Sequence, residues 1–196
     1  MILYLDTETT GLYPGQICQL SYIMQTKDKT VAKNFFFSVD FVEPSAQMVH
    51  GFSAELLEKL SNGKCFGAFL SEIESDFNNA NCIVSHNTSF DFMFLKKEFE
   101  RENSEFIANN SFCSMKNTVA LCKLPRKNSK GYKYPKLAEL CTFLGVSELD
   151  IERASKSLYG SNFSFHDARF DTVALYLAVN KGINSHKEFT SLKEYL

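Results

Sequence analysis

The sequence predicts an α/β domain built on a mixed β-sheet. Three apolar segments rich in branched and aromatic residues come first, which favours three early strands. Further along, a short apolar run and segments with apolar residues at helical spacing alternate, as is typical of strands connected by helices. The polar connection between the second and third strands indicates a hairpin, so antiparallel and parallel strands are expected in one sheet.

The predicted strands are short and bounded by polar residues. The first covers about residues 2 to 6, in ILYLD, and the second covers 17–24. The third is predicted over 35–41, after the polar turn TKDK at 26–29. A further buried strand is predicted in CIVSHN, residues 82–87, which ends in polar residues.

The predicted helices are marked by apolar spacing and by end signals. Ser53 is expected to cap the first of them, Pro135 to start the fifth, and Gly145 and Gly182 to end the last two. Helices are predicted over residues 53–60, 66–77, 90–102, 115–124, 135–145 and 166–182.

Composition limits the class of protein. With 196 residues, 44% of them apolar, the chain is expected to form one globular domain over residues 1–196. A net charge of -2 excludes a general attraction to nucleic acid but leaves room for a local basic patch. Neither a signal peptide nor a membrane span is expected, and the chain is placed in the cytoplasm.

The cysteines indicate a reducing environment. None forms a C-x-x-C pair, so a zinc site is not expected, and most lie in apolar stretches typical of a reduced core. They are Cys18, Cys65, Cys82, Cys113, Cys122 and Cys141.

Two carboxylates come where the first strand is predicted to end, in LDTETTGL. Strand side chains alternate between faces, so Asp6 and Glu8 are expected to point the same way. Two such charges repel unless a cation lies between them, and a divalent metal with oxygen ligands is the usual partner. The alternative is that both are solvated loop acids, and this stretch alone does not separate the two interpretations.

Further candidates follow later in the chain. Asp91 is placed at the start of a helix, and Asp171 lies within the last helix, with His166 five residues before it. In a regular helix His166 and Asp171 would be about 140° apart, but a histidine in a loop before the first turn could still reach a metal-bound water. Taken singly, each has a structural interpretation, as a helix-terminal acid or a structural histidine.

The motifs D-x-E, H-N-x-x-F-D and H-x(4)-D occur in this order, in LDTETTGL, SHNTSFDFMFL and HDARFDTVAL. Together with VHGFS at 49–53 and LAELCTFLGV, they resemble the DEDDh exonucleases, the superfamily of the proofreading 3′–5′ exonuclease subunit of bacterial DNA polymerase. The resemblance runs from Met1 to about Lys181. A sister group has tyrosine four residues before the last aspartate; here that position is Asp167, so His166 assigns the chain to the histidine branch.

The resemblance implies a ribonuclease-H-like fold with a five-stranded sheet, and a site at the carboxyl ends of strands. It implies metal-dependent removal of nucleoside monophosphates from the 3′ end of single-stranded DNA or frayed ends. His166 would be the general base, and two divalent ions, Mg²⁺ or Mn²⁺, would be held by Asp6, Glu8, Asp91 and Asp171. Substrate contacts carried over from the motifs are Thr9, Leu12, His50, Asn87 and Phe90. Of these, Leu12 and Phe90 could instead be core residues, and Asn87 could instead order the second motif.

The segment KLPRKNSKGYKYPK, residues 123–136, holds six basic residues and two tyrosines. Cations that meet phosphates and rings that stack on bases suit single-stranded nucleic acid, so Lys130, Tyr132 and Lys133 are predicted to bind substrate. The alternative is a solvated loop.

Several alternatives stay open. The substrate could be RNA, because RNA-trimming relatives share the motifs. A binding module that lost catalysis is disfavoured because all five expected site residues are present. Relatives often have aspartate where Cys113 stands, but that aspartate is not a metal ligand. A polymerase partner would be a separate chain, and a homodimer is compatible with the basic segment.

Overall fold

A five-stranded mixed sheet forms the centre of the structure, a computed structural model that describes residues 1–12, 15–161, 163 and 166–196. The strands are β1 (Ile2–Thr9), β2 (Ile17–Gln25), β3 (Thr30–Phe36), β4 (Cys82–Ser85) and β5 (Ser111–Cys113). Their order is β3-β2-β1-β4-β5. The first three pair antiparallel, while β1 with β4 and β4 with β5 pair in parallel. The predicted α/β class and mixed sheet are therefore confirmed.

Two strand boundaries differ from the prediction. β1 continues to Thr9, so Asp6 and Glu8 lie inside the strand, paired with Ser21 and Gln19 of β2. β3 was predicted over 35–41 but runs from Thr30 to Phe36. The reason is that the turn at 26–29 places Thr30 opposite Gln25, so β3 begins to pair with β2 directly after the turn even though this edge strand contains polar residues. β5 was not predicted.

The α-helices are α1 (Pro44–His50), α2 (Ala54–Ser61), α3 (Leu70–Asn78), α4 (Thr88–Arg101), α5 (Ser114–Asn117), α6 (Val119–Cys122), α7 (Leu137–Phe143), α8 (Glu148–Tyr159) and α9 (Ala168–Ser185), with 3-10 helices at Phe66–Phe69 and Lys187–Tyr195. Ser53 caps α2 as predicted, since its hydroxyl accepts a hydrogen bond from the Leu56 N–H. The prediction missed α1 and α8, although Ser147 and Asp150 form a capping box at the start of α8.

Three helix predictions need correction. The segment 66–77 begins with a 3-10 turn, and 115–124 is broken into α5 and α6 at Thr118, whose hydroxyl donates to the Ser114 carbonyl. α9 does not end at Gly182 but continues to Ser185. A Cβ on Gly182 would lie 2.5 Å from the Phe189 ring, so this glycine permits close packing and does not cap the helix.

Two apolar layers cover the two faces of the sheet. Ile2 and Tyr4 of β1 pack in one cluster with Phe170 and Val173 of α9. Leu3 and Leu5 pack in the other, with residues of α3 and α4. Because strand side chains alternate, Asp6 and Glu8 continue the α9 face, whereas Thr7 continues the α4 face. The packing thus brings the acids of β1 to the side where α9 begins.

Within the described part of the chain, no helix combines the length and the apolar character needed to cross a bilayer. All six cysteines are free, and four are buried. Cys65 is exposed, against the expectation of a core position, because it lies at the N-cap of the first 3-10 helix, between that helix and α2.

Candidate active site

Three of the predicted carboxylates converge at one end of β1. Asp6, Glu8 and Asp171 each offer an oxygen within 4.8 Å of the others. Asp6 and Glu8 share one face of β1, and Asp171 reaches them from the first turn of α9. The ladder between β1 and β2 shifts register directly after Glu8, so the regular pairing is interrupted next to these two acids. An all-oxygen donor set of this kind suits a hard divalent cation.

Asp91 approaches this cluster from the opposite face of the sheet. It lies in the first turn of α4, as predicted, and is only 4% exposed. The Thr7 hydroxyl donates a hydrogen bond of 2.9 Å to Asp91 Oδ1. Among the described residues, Asp91 lies outside the tight group of three, yet its charge contributes to the raised pKa of Asp6. Thr7, which sequence reasoning missed, could have been found from its alternation with Asp6 and Glu8.

Burial raises the pKa values of all four carboxyl groups, and repulsion between the carboxylates adds to the effect at Asp6 and Glu8. The pKa of Asp6 lies well above its ordinary value because of burial, to which the charges of Asp171 and Asp91 add. Burial, with repulsion from Asp171, raises the pKa of Glu8 to about 9. Burial likewise raises the pKa of Asp91 and that of Asp171 to about 6. The group therefore favours bound protons or bound cations over four bare charges.

His166 precedes α9 instead of opening it. The helix begins at Ala168 with Asp167 as its N-cap, so the helical angle between His166 and Asp171 does not apply. His166 has φ 64°, in the left-handed region, and its backbone N–H donates to Asp171 Oδ2 at 3.1 Å. Its side chain is exposed, and its charge acts to lower the pKa of Asp171 against the effect of burial. The loop thus holds His166 next to a carboxylate of the cluster.

A cavity of about 330 Å³ adjoins the carboxylates. Of the predicted substrate contacts, Thr9, Leu12, His50 and Phe90 line it; Asn87 is not among its described lining residues and is the N-cap of α4. Leu12 is 77% exposed, so it is not a core residue. Ala46 and Val49 of α1 also line the cavity, and the prediction missed them because it missed α1.

His50 fixes the rim of this cavity. Its Nδ1 accepts a hydrogen bond of 3.0 Å from the Phe52 N–H, so in the neutral ring Nε2 carries the proton and donates to the Thr9 carbonyl at 3.2 Å. Burial lowers the pKa of His50, and the neighbouring His166 lowers it further. Through these two hydrogen bonds, the neutral ring of His50 connects Phe52, just before α2, to Thr9 at the end of β1.

Residues 123–136 form an ordered hairpin, which we call the basic hairpin. Pro125 and Tyr132 make an antiparallel bridge, and Tyr132 and Tyr134 are 44% and 55% exposed. Lys133 forms an ion pair with Glu139 of α7, so its charge is partly neutralised. Most of the hairpin is exposed, which is compatible with a solvated loop, but its buried Pro135 is attached to the segment that carries the second motif.

That attachment is made by His86. Its Nε2 contacts the Pro135 carbonyl at 3.0 Å and its Nδ1 contacts Ser114 Oγ at 2.9 Å. Burial lowers the pKa of His86 to about 4, so the ring is neutral at physiological pH. The hairpin therefore ends beside the end of β4, which leads into the helix that carries Asp91.

Comparison with known proteins shows which family the sequence matches. The family model described as "Exonuclease" (RNase_T) matches residues 3–150. The DNA polymerase III subunit epsilon of Salmonella typhimurium is 30% identical over 194 residues, which cover 93% of this chain and 72% of that relative. The corresponding subunit of Escherichia coli is 28% identical over the same shares of the two chains.

Solved structures show the same fold. Exonuclease I superimposes with a TM-score of 0.74 at 17% identity, over 98% of this chain, and the chain spans only 43% of that protein. The nuclease domain of 3′hExo, a DEDDh family member solved bound to rAMP, has a TM-score of 0.66 at 10% identity and covers 95% of this chain and 93% of that domain. The predicted ribonuclease-H-like fold is thereby confirmed.

Proposed function

Because the chain belongs to the exonuclease family, we propose that it removes nucleoside monophosphates one at a time from the 3′ end of single-stranded DNA or of frayed ends. The chain is a 3′–5′ exonuclease and therefore a phosphodiester hydrolase, as its motifs predicted. The observation that carries the proposal is the convergence of Asp6, Glu8 and Asp171, with Asp91 across the sheet.

The carboxylates would hold divalent metal. Asp6, Glu8 and Asp171 supply oxygen ligands within 4.8 Å of one another, and together with Asp91 they would hold two ions. Two divalent ions offset four carboxylate charges, which removes the repulsion that adds to the effect of burial on the pKa values of Asp6 and Glu8. Mg²⁺ or Mn²⁺ fits this donor set, and such ions stabilise the charge that develops on phosphoryl oxygens during hydrolysis.

His166 would act as the general base. It is exposed at the edge of the carboxylate cluster, and its backbone is bonded to Asp171, so its imidazole can take a proton from a water beside the cluster. An imidazole can accept this proton and release it again before the next cycle, as a general base must.

The cavity would bind the terminal nucleotide. Phe90, Leu12 and Val49 offer apolar surface against which a base can stack, and Thr9 and His50 lie at the rim next to Glu8. We propose that Asn87, at the start of α4, lies beside the path of the bound single-stranded substrate. Beyond it, Lys130, Tyr132 and Lys133 of the basic hairpin would contact phosphates and bases, with Lys133 the weakest of the three because it is already paired with Glu139.

DNA is preferred here over RNA because two kinds of relative point to it. Several relatives are subunits of a DNA polymerase, and E. coli Exonuclease I has been solved with a dT13 oligonucleotide. RNA remains the second candidate, because the 3′hExo domain was solved with rAMP. The polymerase relatives also suggest a separate polymerase chain as partner, with a homodimer as the alternative. Residues 1–196 would form one domain, in the cytoplasm, where free cysteines stay reduced.

The test is a time course on two 5′-labelled single strands of the same sequence, one DNA and one RNA. Each is incubated with Mg²⁺, with Mn²⁺ and with EDTA, beside Asp171→Ala and the matched surface control Asp28→Ala. The expected result is a metal-dependent ladder that shortens from the 3′ end, faster on DNA, abolished in Asp171→Ala and normal in Asp28→Ala. Absence of shortening with either metal on either strand would overturn the proposal, and faster loss of RNA would reassign the substrate.

A further inference from the structure

We propose that Gln19, Asp167 and Arg169 form a clamp that positions His166, and that turnover depends on this clamp although none of its members is a metal ligand. The inference rests on the proposed function of His166 as general base. Sequence reasoning attached no role to these three residues, and the contacts that join them link β2 to the loop before α9.

Asp167 is the centre of the clamp. Its Oδ1 accepts hydrogen bonds from Gln19 Nε2 at 3.0 Å, from the Arg169 backbone N–H at 3.0 Å and from Arg169 Nε at 2.8 Å. Its Oδ2 accepts a further bond from Arg169 Nη2 at 2.6 Å. A carboxylate with four donors, one side of it engaged by a bidentate guanidinium, has little freedom to rotate. The residue directly after His166 is therefore held in one orientation.

Gln19 connects the Asp167 carboxylate to β2, the strand that pairs with β1 and its two carboxylates. It is fully buried and pairs across the ladder with Glu8. Its Oε1 accepts a hydrogen bond of 3.0 Å from the Ala168 N–H, while its Nε2 donates to Asp167 and, at 2.8 Å, to Asn34 Oδ1. One side chain thus binds both residues that follow His166, and it does so from a position opposite a carboxylate of the site.

Arg169 holds the other side of the same loop. Its guanidinium lies 3.6 Å from the centroid of the Phe163 ring and 5.2 Å from that of Phe36 in β3. Phe163 in turn packs edge-on against Tyr159, whose hydroxyl is 2.6 Å from Ser21 Oγ in β2. Arg169 therefore attaches residues on both sides of His166 to the sheet.

His166 needs such support because of its backbone. Its φ of 64° lies in the left-handed region, which residues other than glycine hold only where their surroundings enforce it. The side chain itself is exposed, so it has little packing of its own to fix it. With the clamp in place the loop can hold one conformation; without it, relaxation of φ would turn the imidazole away from the carboxylates.

The test compares Arg169→Ala in two backgrounds, native and His166→Ala, by single-turnover hydrolysis of a 5′-labelled strand with enzyme in excess. In the native background the rate constant should fall by about 10- to 100-fold, as expected for a displaced catalytic group, with the KM for the strand and the Mn²⁺ affinity unchanged. In the His166→Ala background the same substitution should have no further effect. The matched control is Arg153→Ala, at an exposed position of α8.

Asp167→Asn serves as a second variant if Arg169→Ala folds poorly, because it keeps the shape of the side chain and weakens the same ion pair. An equal fall of the rate constant in both backgrounds would overturn the clamp, since the effect would then not pass through His166. An unchanged rate in the native background would overturn it as well. If His166→Ala alone retained the native rate, the assignment of the general base would fail, and with it the clamp that rests on it.

Discussion

Thr7→Val tests how the four carboxylates are held together. The substitution removes only the hydroxyl that donates to Asp91 Oδ1 at 2.9 Å and keeps the branched shape. Thr7 and Asp91 are 7% and 4% exposed, so water cannot replace the lost bond without rearrangement. A hydrogen bond to a charged group contributes about 1.5–3 kcal/mol. At about 1.4 kcal/mol for each factor of ten, metal affinity should fall by about 10- to 100-fold.

The sign of the pH effect follows from the same contact. Burial raises the pKa of Asp91 to about 6, and the hydrogen bond from Thr7 acts in the opposite direction. Thr7→Val should therefore raise this pKa further, so that protons compete with metal up to a higher pH. The acid limb of the rate profile should move to higher pH, and excess Mn²⁺ should restore the rate at a given pH.

The assay is a metal titration of the initial rate on a 5′-labelled strand, repeated across pH, together with calorimetric measurement of Mn²⁺ binding. The control is Thr190→Val, at an exposed position in the C-terminal 3-10 helix. A native titration midpoint and a native acid limb in Thr7→Val would show that the hydroxyl does not stabilise charged Asp91. Equal shifts in both variants would show that the effect is not specific to the site.

Four further predictions concern the candidate active site, the cavity beside it and the packing of α9. In EDTA, the melting temperature should fall as the pH rises toward about 9, because Glu8 keeps its proton in the folded state, whereas in the unfolded state it has lost that proton above its ordinary pKa of 4.5. Calorimetric scans across pH should show this slope without Mn²⁺ and its loss with Mn²⁺ or in Glu8→Gln. His166→Ala should lower the rate by about 100- to 10,000-fold with unchanged melting temperature and Mn²⁺ affinity, and a near-native rate would remove His166 from the role of base. Leu12→Ala should raise the KM for the strand without changing the melting temperature, because the side chain is 77% exposed; a lower melting temperature would instead show that it is a core residue. Gly182→Ala should destabilise the fold by about 1–3 kcal/mol in urea titrations, since its Cβ would lie 2.5 Å from the Phe189 ring, while activity below the melting temperature stays native.

Short-range patterns in the sequence were sufficient to predict the fold class and much of the candidate site. The alternation of side chains along β1 placed Asp6 and Glu8 on one face, and helical spacing placed Asp91 in the first turn of α4. Boundaries were predicted less well where local signals conflict with pairing. β3 is the example, because its pairing with β2 begins directly after the turn and does not extend to the apolar residues at positions 37, 39 and 41.

By itself, the sequence determined which groups are candidates for the chemistry: the four carboxylates, a histidine before the last of them, and a basic segment with tyrosines. Residue types and their spacing are local properties of the sequence, so these groups can be identified without knowledge of the fold. Only the tertiary structure decided that Asp91 arrives through the opposite face and is held by Thr7, and that Gln19 and Asp167, separated by 148 residues, meet beside His166. Periodicity specifies which face a side chain occupies, but which distant faces meet depends on the packing of the whole sheet and its helices.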